Sequence, residues 1–234
     1  DSPETVAQKV RDTIDFSTHF FYELPDALKP RAMPVVQGHT YEQVDACLDA
    51  YFRLGINWIG FGSFGTMGAN NEVNIATQSA IELAQYVIEV AHAHDVKVHL
   101  FGLGTPALVA MLKGIEADSF DSATWLKSAG FGQVFLPFMR AYNISHRNTT
   151  SELQRGITFD QFNNWRRLTQ HNCVLCADLQ QLQESKMYRA VHNLIVMAET
   201  VDMANLEAHD VIKTIYHNGS VRYREEYEKW LQSD

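Results

Sequence analysis

The stretch VKVHLFGLGTPALVAMLKGIEADSFDSATW, Val96 to Trp125, decides the fold. It opens on a short apolar run, VKVHLF, and turns at Gly102-Leu103-Gly104. Pro106 is then placed to open a helix, because its missing N–H falls among the donors a first turn leaves unpaired. A second short strand, ADSFD, follows, and a helix is expected around Thr124–Ala129. This is one strand–helix–strand–helix unit, with a carboxylate where the second strand ends.

The same alternation extends upstream. Apolar spacing predicts a helix over residues 3–22, with Val6, Val10, Ile14 and Phe16 as its apolar positions. Met33–Val36 reads as a strand ending in VVQGHT, and Val44, Cys47, Leu48, Tyr51 and Phe52 recur at helical spacing up to Gly55. Ile56–Phe61 (INWIGF) reads as a buried strand, then a glycine-rich turn, then a helix over Val73–His92. Four units result, at 33–53, 56–92, 96–114 and 117–129. Such alternation means a parallel sheet with crossover helices. Each strand ends in glycine or polar residues: Gln37-Gly38, Gly62-Ser63, Gly102-Leu103-Gly104 and Asp121-Ser122. In a (β/α)8 TIM-type barrel that end is where sites are built. Four units are half a barrel, so the expectation is that further strands lie upstream of Asp1 or come from a second chain, as in a dimer. The expected division is a partial barrel over 1–138 and a metal-binding, helical segment over 139–234.

Composition bounds the possibilities. The chain has 234 residues, 46% hydrophobic and 20% charged, and a net charge of −9. The whole surface is therefore no polyanion binder, and any nucleic-acid contact must be a local patch. Residues 127–167 supply one: six basic residues (Lys127, Arg140, Arg147, Arg155, Arg166, Arg167) face two acids, Glu152 and Asp160, for a local +4. No apolar run is long enough to span a membrane, and no signal-peptide pattern appears, so no membrane partner and a cytoplasmic location are expected. Three cysteines argue against a disulfide framework. The sequons at Asn143, Asn148 and Asn218 are read as chance in that setting.

Three constellations carry chemistry. His171, Cys173 and Cys176 form H-x-C-x-x-C, and His192 follows sixteen residues later. Two thiols and two imidazoles suit a tetrahedral Zn2+, the alternative being buried thiols beside surface histidines. Cys47 sits on an apolar helix stripe and reads as core. In Asp118-Ser119-Phe120-Asp121, strand alternation puts Asp118 and Phe120 on one side and Asp121 on the other. A strand-end aspartate can form a covalent ester with a sugar carbon, or it can cap the next helix. Gln37 offers a carboxamide that can donate and accept against a heterocycle edge, and nearby glycines let a backbone approach a flat ligand, though each alone can be an ordinary turn residue. Gly102-x-Gly104 lacks the third glycine and later acid of a dinucleotide site.

Together these stretches resemble the queuine/archaeosine-type guanine transglycosylases. VKVHLFGLGTP is similar to that family's PVHLFGxGxP, and DSFDSATW to its archaeal-type DLFDSASY. VVQGHTYE resembles its Val-Gln-Gly strand end, IGFGSF its IGGL/IGSL turn, and GFGQVF its GRNGQAF. The family's C-x-C-x-x-C and later His-Asn fall on His171, Cys173, Cys176 and His192-Asn193, with histidine replacing the first cysteine and a shorter intervening helix. The histidine variant is more similar to the DNA-modifying branch. The resemblance implies exchange of a guanine in tRNA or DNA for a 7-deazaguanine base such as preQ0, preQ1 or queuine, with Asp121 as nucleophile. It implies that Asp1, Gln37, Gly62, Ser63, Phe101 and Gly102 hold the base, and that the general acid/base aspartate lies upstream of Asp1. The alternative expectation is a non-catalytic, zinc-bearing barrel subunit that binds nucleic acid or partners an active enzyme.

Overall fold

A computed structural model describes residues 2–62, 78–102, 104–145 and 156–205. Asp1 and Ser63, expected at the base site, and Arg147 and Arg155 of the basic segment lie outside the described residues.

The chain forms two compact units. The first comprises Asp1–Leu103 and Ile115–Asp121; the second comprises Gly104–Gly114 and Ser122–Asp234. The first unit is a parallel four-stranded sheet with helices. Its strands are β1 (Val35–Val36), β2 (Trp58–Phe61), β3 (Lys97–Leu100) and β4 (Ser119–Phe120), ordered β1-β2-β3-β4. Its helices are α1 (Pro3–Glu23), α2 (Tyr41–Phe52) and α3 (Gln78–His92).

Local chemistry fixes these boundaries. Ser2 caps α1 by accepting from the Thr5 N–H, with Pro3 opening the helix. Thr40 caps α2 in the same way through the Gln43 N–H, while the Gln43 carboxamide accepts from the His39 N–H. Helix α2 ends at Phe52, and Gly55 takes a φ of +69° in the turn beyond. Strand β1 is shorter than the apolar run predicts. Pro34 has no N–H for the ladder, although its carbonyl still accepts from Gly60. In α1, Val10 and Phe21 are buried, but Phe16 is 74% exposed. It sits two residues beyond Ile14, about 200° around the helix, and so leaves the stripe.

Strand alternation divides the sheet into two faces. Val36, Ile59, Phe61, Val98 and Leu100 are fully buried on the face that packs beneath α2 and α3. Val44, Leu48, Tyr51, Val87 and Ile88 of those helices complete the core. Cys47 belongs to it, with its thiol pushed up by burial and donating to the Gln37 carbonyl at 3.5 Å. The opposite face carries Gly60, His99 and Ser119 in one register row.

The second unit holds α4 (Pro106–Gly114), α5 (Thr124–Gly130), an antiparallel pair β5 (Gln133–Val134) and β6 (Tyr142–Asn143), α6 (Phe159–Leu168), α7 (Leu179–Glu184) and α8 (Lys186–Asn205). Helix α8 is its centre, packing against α4, α5, α7 and β5. Two buried side chains on α8 tie those elements down. Asn193 accepts from the Phe135 N–H and donates to the carbonyls of Trp125 and Gln133. The Arg189 guanidinium donates to the carbonyls of Ala129, Leu182 and Gln183, satisfying the last turns of α5 and α7. Asn143 is buried and its amide donates to the Phe131 carbonyl, so this sequon offers no accessible nitrogen. No described helix is long and apolar enough to cross a membrane.

Candidate functional site

The sheet aligns the expected strand-end residues. Val36, Phe61, Leu100 and Phe120 form a single register row across all four strands. Because the strands are parallel, the residues that follow leave from one edge: Gln37, Gly62, Phe101 and Asp121. Backbone bonds continue the ladder there, with Phe101 N–H donating to the Phe61 carbonyl at 2.9 Å and Asp121 N–H to that of Leu100 at 3.3 Å.

Asp121 is the carboxylate of this edge, with a side chain 55% exposed. Its Oδ1 accepts from the Gly102 N–H at 3.0 Å and meets His99 Nε2 at 3.3 Å. Gly102 has a φ of +71°, a conformation that a side chain would strain, and this turn presents its N–H to the carboxylate. Asp118 occupies a different environment. Its Oδ2 accepts from the Val98 N–H at 2.8 Å and pairs with His92 Nε2 at 2.9 Å, fastening the end of α3 to β3. The two aspartates therefore differ in role: Asp118 is a fastening between elements, Asp121 an exposed group at the strand ends.

The Phe101 ring lies edge-on to His99, with centroids 4.8 Å apart. Two glycines make room for it. A Cβ on Gly60 would stand 2.2 Å from the ring, and one on Gly62 would stand 3.2 Å from the Phe101 side chain. Gly104 answers to a different neighbour. A Cβ there would strike the Ser122 hydroxyl at 2.1 Å, and that hydroxyl donates to the Gly104 carbonyl. It is a packing glycine, as the turn reading allowed. Gln37 is exposed. The contribution of His99 was not expected from the sequence; its position opposite Ser119 becomes visible only with the strand register.

The second constellation gathers in the second unit. The 3-10 turn Val174–Ala177 brings Cys173 and Cys176 together, a loop after α6 supplies His171, and α8 supplies His192. All four ligand atoms lie within 4.8 Å of one another. The spacings are 3.6 Å between the two sulfurs, 3.5 Å from Cys176 Sγ to His192 Nε2, and 3.3 Å between the two imidazole Nε2 atoms. A tetrahedral zinc with ordinary Zn–S and Zn–N bonds needs edges of about 3.8, 3.6 and 3.4 Å for these pairs. These three edges match a zinc ion's, and the cluster could hold one. Three of the four ligands are buried, and a groove of about 570 Å³, lined by Asn163, Arg166, Asn172 and the Cys173–Ala177 turn, gives access.

Outer partners orient the ligands. His171 Nδ1 bonds to the Glu199 carboxylate, leaving Nε2 to face the cluster. His192 is fully buried, with Nδ1 3.5 Å from the Asn193 carboxamide oxygen. The ionisation of the four groups follows from their crowding. Burial pulls the His171 imidazole down, but bonds to Cys173 and Glu199 outweigh it and hold it up at about 9. Burial drives His192 down to about 4. The bond from the Cys176 thiol pulls Cys173 down to about 3, and the same bond, with burial, pushes Cys176 up. The two sulfurs thus share one proton. A divalent cation held there would take its place and make both sulfurs thiolates.

The chain matches no family model and no curated protein.

Proposed function

We propose that this chain is a guanine transglycosylase, exchanging a guanine in tRNA or DNA for a 7-deazaguanine base through an Asp121–sugar intermediate. The observation that carries this reading is the strand-end row, in which an exposed carboxylate and an aromatic ring seated on two glycines both contact His99. The sequential strand order β1-β2-β3-β4 supports reading the sheet as four strands of a (β/α)8 barrel. A doubly wound sheet would reverse direction at a switch point instead.

The chemistry follows that of glycosyl transfer. The Asp121 carboxylate attacks C1′ of the target nucleotide, and the C1′–N9 bond breaks with its electron pair passing to guanine. The incoming base then attacks C1′ through its own N9, regenerating the carboxylate. The proton that the incoming N9 loses balances the one that the departing guanine gains. Phe101 offers a stacking face, and Gln37 a donor and acceptor for the base edge, once the nucleotide has left its stack. The basic 127–167 segment takes phosphates. A zinc ion held by His171, Cys173, Cys176 and His192 would be structural, tying α8 to the turn at Cys173.

A base-exchange assay tests the reading. Labelled guanine, presented with tRNA and separately with duplex DNA, should enter one of the two polymers. Incorporation into neither, by protein with its zinc in place, rejects it.

A further inference from the structure

We infer that His99 is the positioning residue for Asp121, gripping the carboxylate by one oxygen and leaving the other free to react. This deepens the reading of Asp121 as nucleophile and rests on it. Three distances carry it. His99 Nδ1 lies 2.8 Å from the Ser119 hydroxyl, His99 Nε2 lies 3.3 Å from Asp121 Oδ1, and the Gly102 N–H reaches the same Oδ1 at 3.0 Å. Both contacts to Asp121 use Oδ1, so Oδ2 has no hydrogen bond among the described residues. An ionised carboxylate only accepts, so the bond to Asp121 requires the hydrogen of His99 on Nε2. Nδ1 is then an acceptor, and the Ser119 hydroxyl must donate to it. The chain Ser119 to His99 to Asp121 thereby specifies one tautomer.

The fold makes room for this arrangement. His99 stands opposite Gly60 on one side and Ser119 on the other. With a glycine and a serine as neighbours, the imidazole can lie along the sheet face toward Asp121, two residues beyond Ser119. Phe101 closes its other side edge-on. The His99 side chain is 17% exposed, against 55% for Asp121. The gripping group is thus covered while the gripped one reaches solvent.

Two near-isosteric replacements separate its two bonds. Glutamine places its amide nitrogen near the position of Nε2, so His99→Gln keeps the donor to Asp121. Asparagine reaches only as far as Nδ1, so His99→Asn keeps the Ser119 contact and loses the grip. For guanine exchange, His99→Asn should lower kcat by about 100-fold with KM little changed, since misorientation acts on the chemical step. His99→Gln should recover most of that loss. Equal losses in both variants, or wild-type kcat in His99→Asn, would overturn the proposal while leaving exchange itself intact. A wild-type protein that exchanges no base would instead defeat the functional reading. The bond is then decided by long-range 1H–15N spectra of the histidines. His99 should carry its hydrogen on Nε2 in the wild type and lose that preference in Asp121→Ala. A hydrogen on Nδ1 in the wild type overturns the assignment.

Discussion

At the scale of single residues, small side chains decide where reactive ones can go. Gly60 carries the Phe101 ring, and the ring edge would meet any Cβ there at 2.2 Å. Gly60→Ala should therefore cost about 1–3 kcal/mol, measured by urea denaturation, because the ring must leave its seat. Base affinity should fall with it. At Gly55 a Cβ would meet nothing within 4 Å. Gly55→Ala should thus act only through its φ of +69°, costing about 1 kcal/mol and leaving base binding unchanged. That Asp121 follows directly on a strand was legible in the sequence, because the strand pattern ends at Phe120. His99 was not, because its role depends on lying opposite Ser119, and cross-strand register is not written in either strand alone. Phe16 was misplaced for the converse reason: one large apolar residue beside a stripe looks like part of it until the 100° step is followed.

At the scale of elements, α8 shows how polar groups organise a core. Arg189 ends two other helices at once, donating to carbonyls of α5 and α7 from a buried position. Arg189→Leu keeps much of the volume but leaves three carbonyls without that donor. It should destabilise the protein by about 3 kcal/mol in thermal or denaturant unfolding, and Arg189→Lys should rescue only part, since one ammonium cannot span the same fork. The four βα units were readable because helical and strand periods alternate with glycine and proline between them. Other features left little trace. Strands β5 and β6 have two residues each, too few for any period to register. Helices α3, α4 and α6 are followed by Asp95, Glu116 and Gln170 in the left-handed conformation, so the usual glycine stop signal is missing there. Nor did the apolar pattern of α4 say what it packs against; its neighbour is α8, about eighty residues away.

At the scale of the whole molecule, charge and metal set the conditions for function. The cluster at His171, Cys173, Cys176 and His192 should bind one zinc per chain, and Cys173→Ala and His192→Ala should each lower that stoichiometry and the Tm together. Acid should release the metal, because binding needs thiolates and neutral imidazoles; affinity falls as pH falls. The donor spacing was legible in the sequence, whereas the Glu199 partner of His171 lies 28 residues away on a helix and was not. With a net charge of −9, the proposed nucleic-acid binding would rest on the local basic segment. Reversing charge at Arg147 and Arg155 should flatten the log–log salt slope of binding by about 1.5, because two phosphates would no longer be neutralised. The most direct test of the account is the covalent intermediate itself. The zinc-loaded protein, incubated with guanine-containing tRNA or duplex DNA, is denatured, digested and analysed by mass spectrometry. The account predicts a ribosyl or deoxyribosyl adduct on the peptide bearing Asp121, absent from Asp121→Asn, which still binds the nucleic acid. An adduct that persists in Asp121→Asn, or one carried by Asp118, would contradict it.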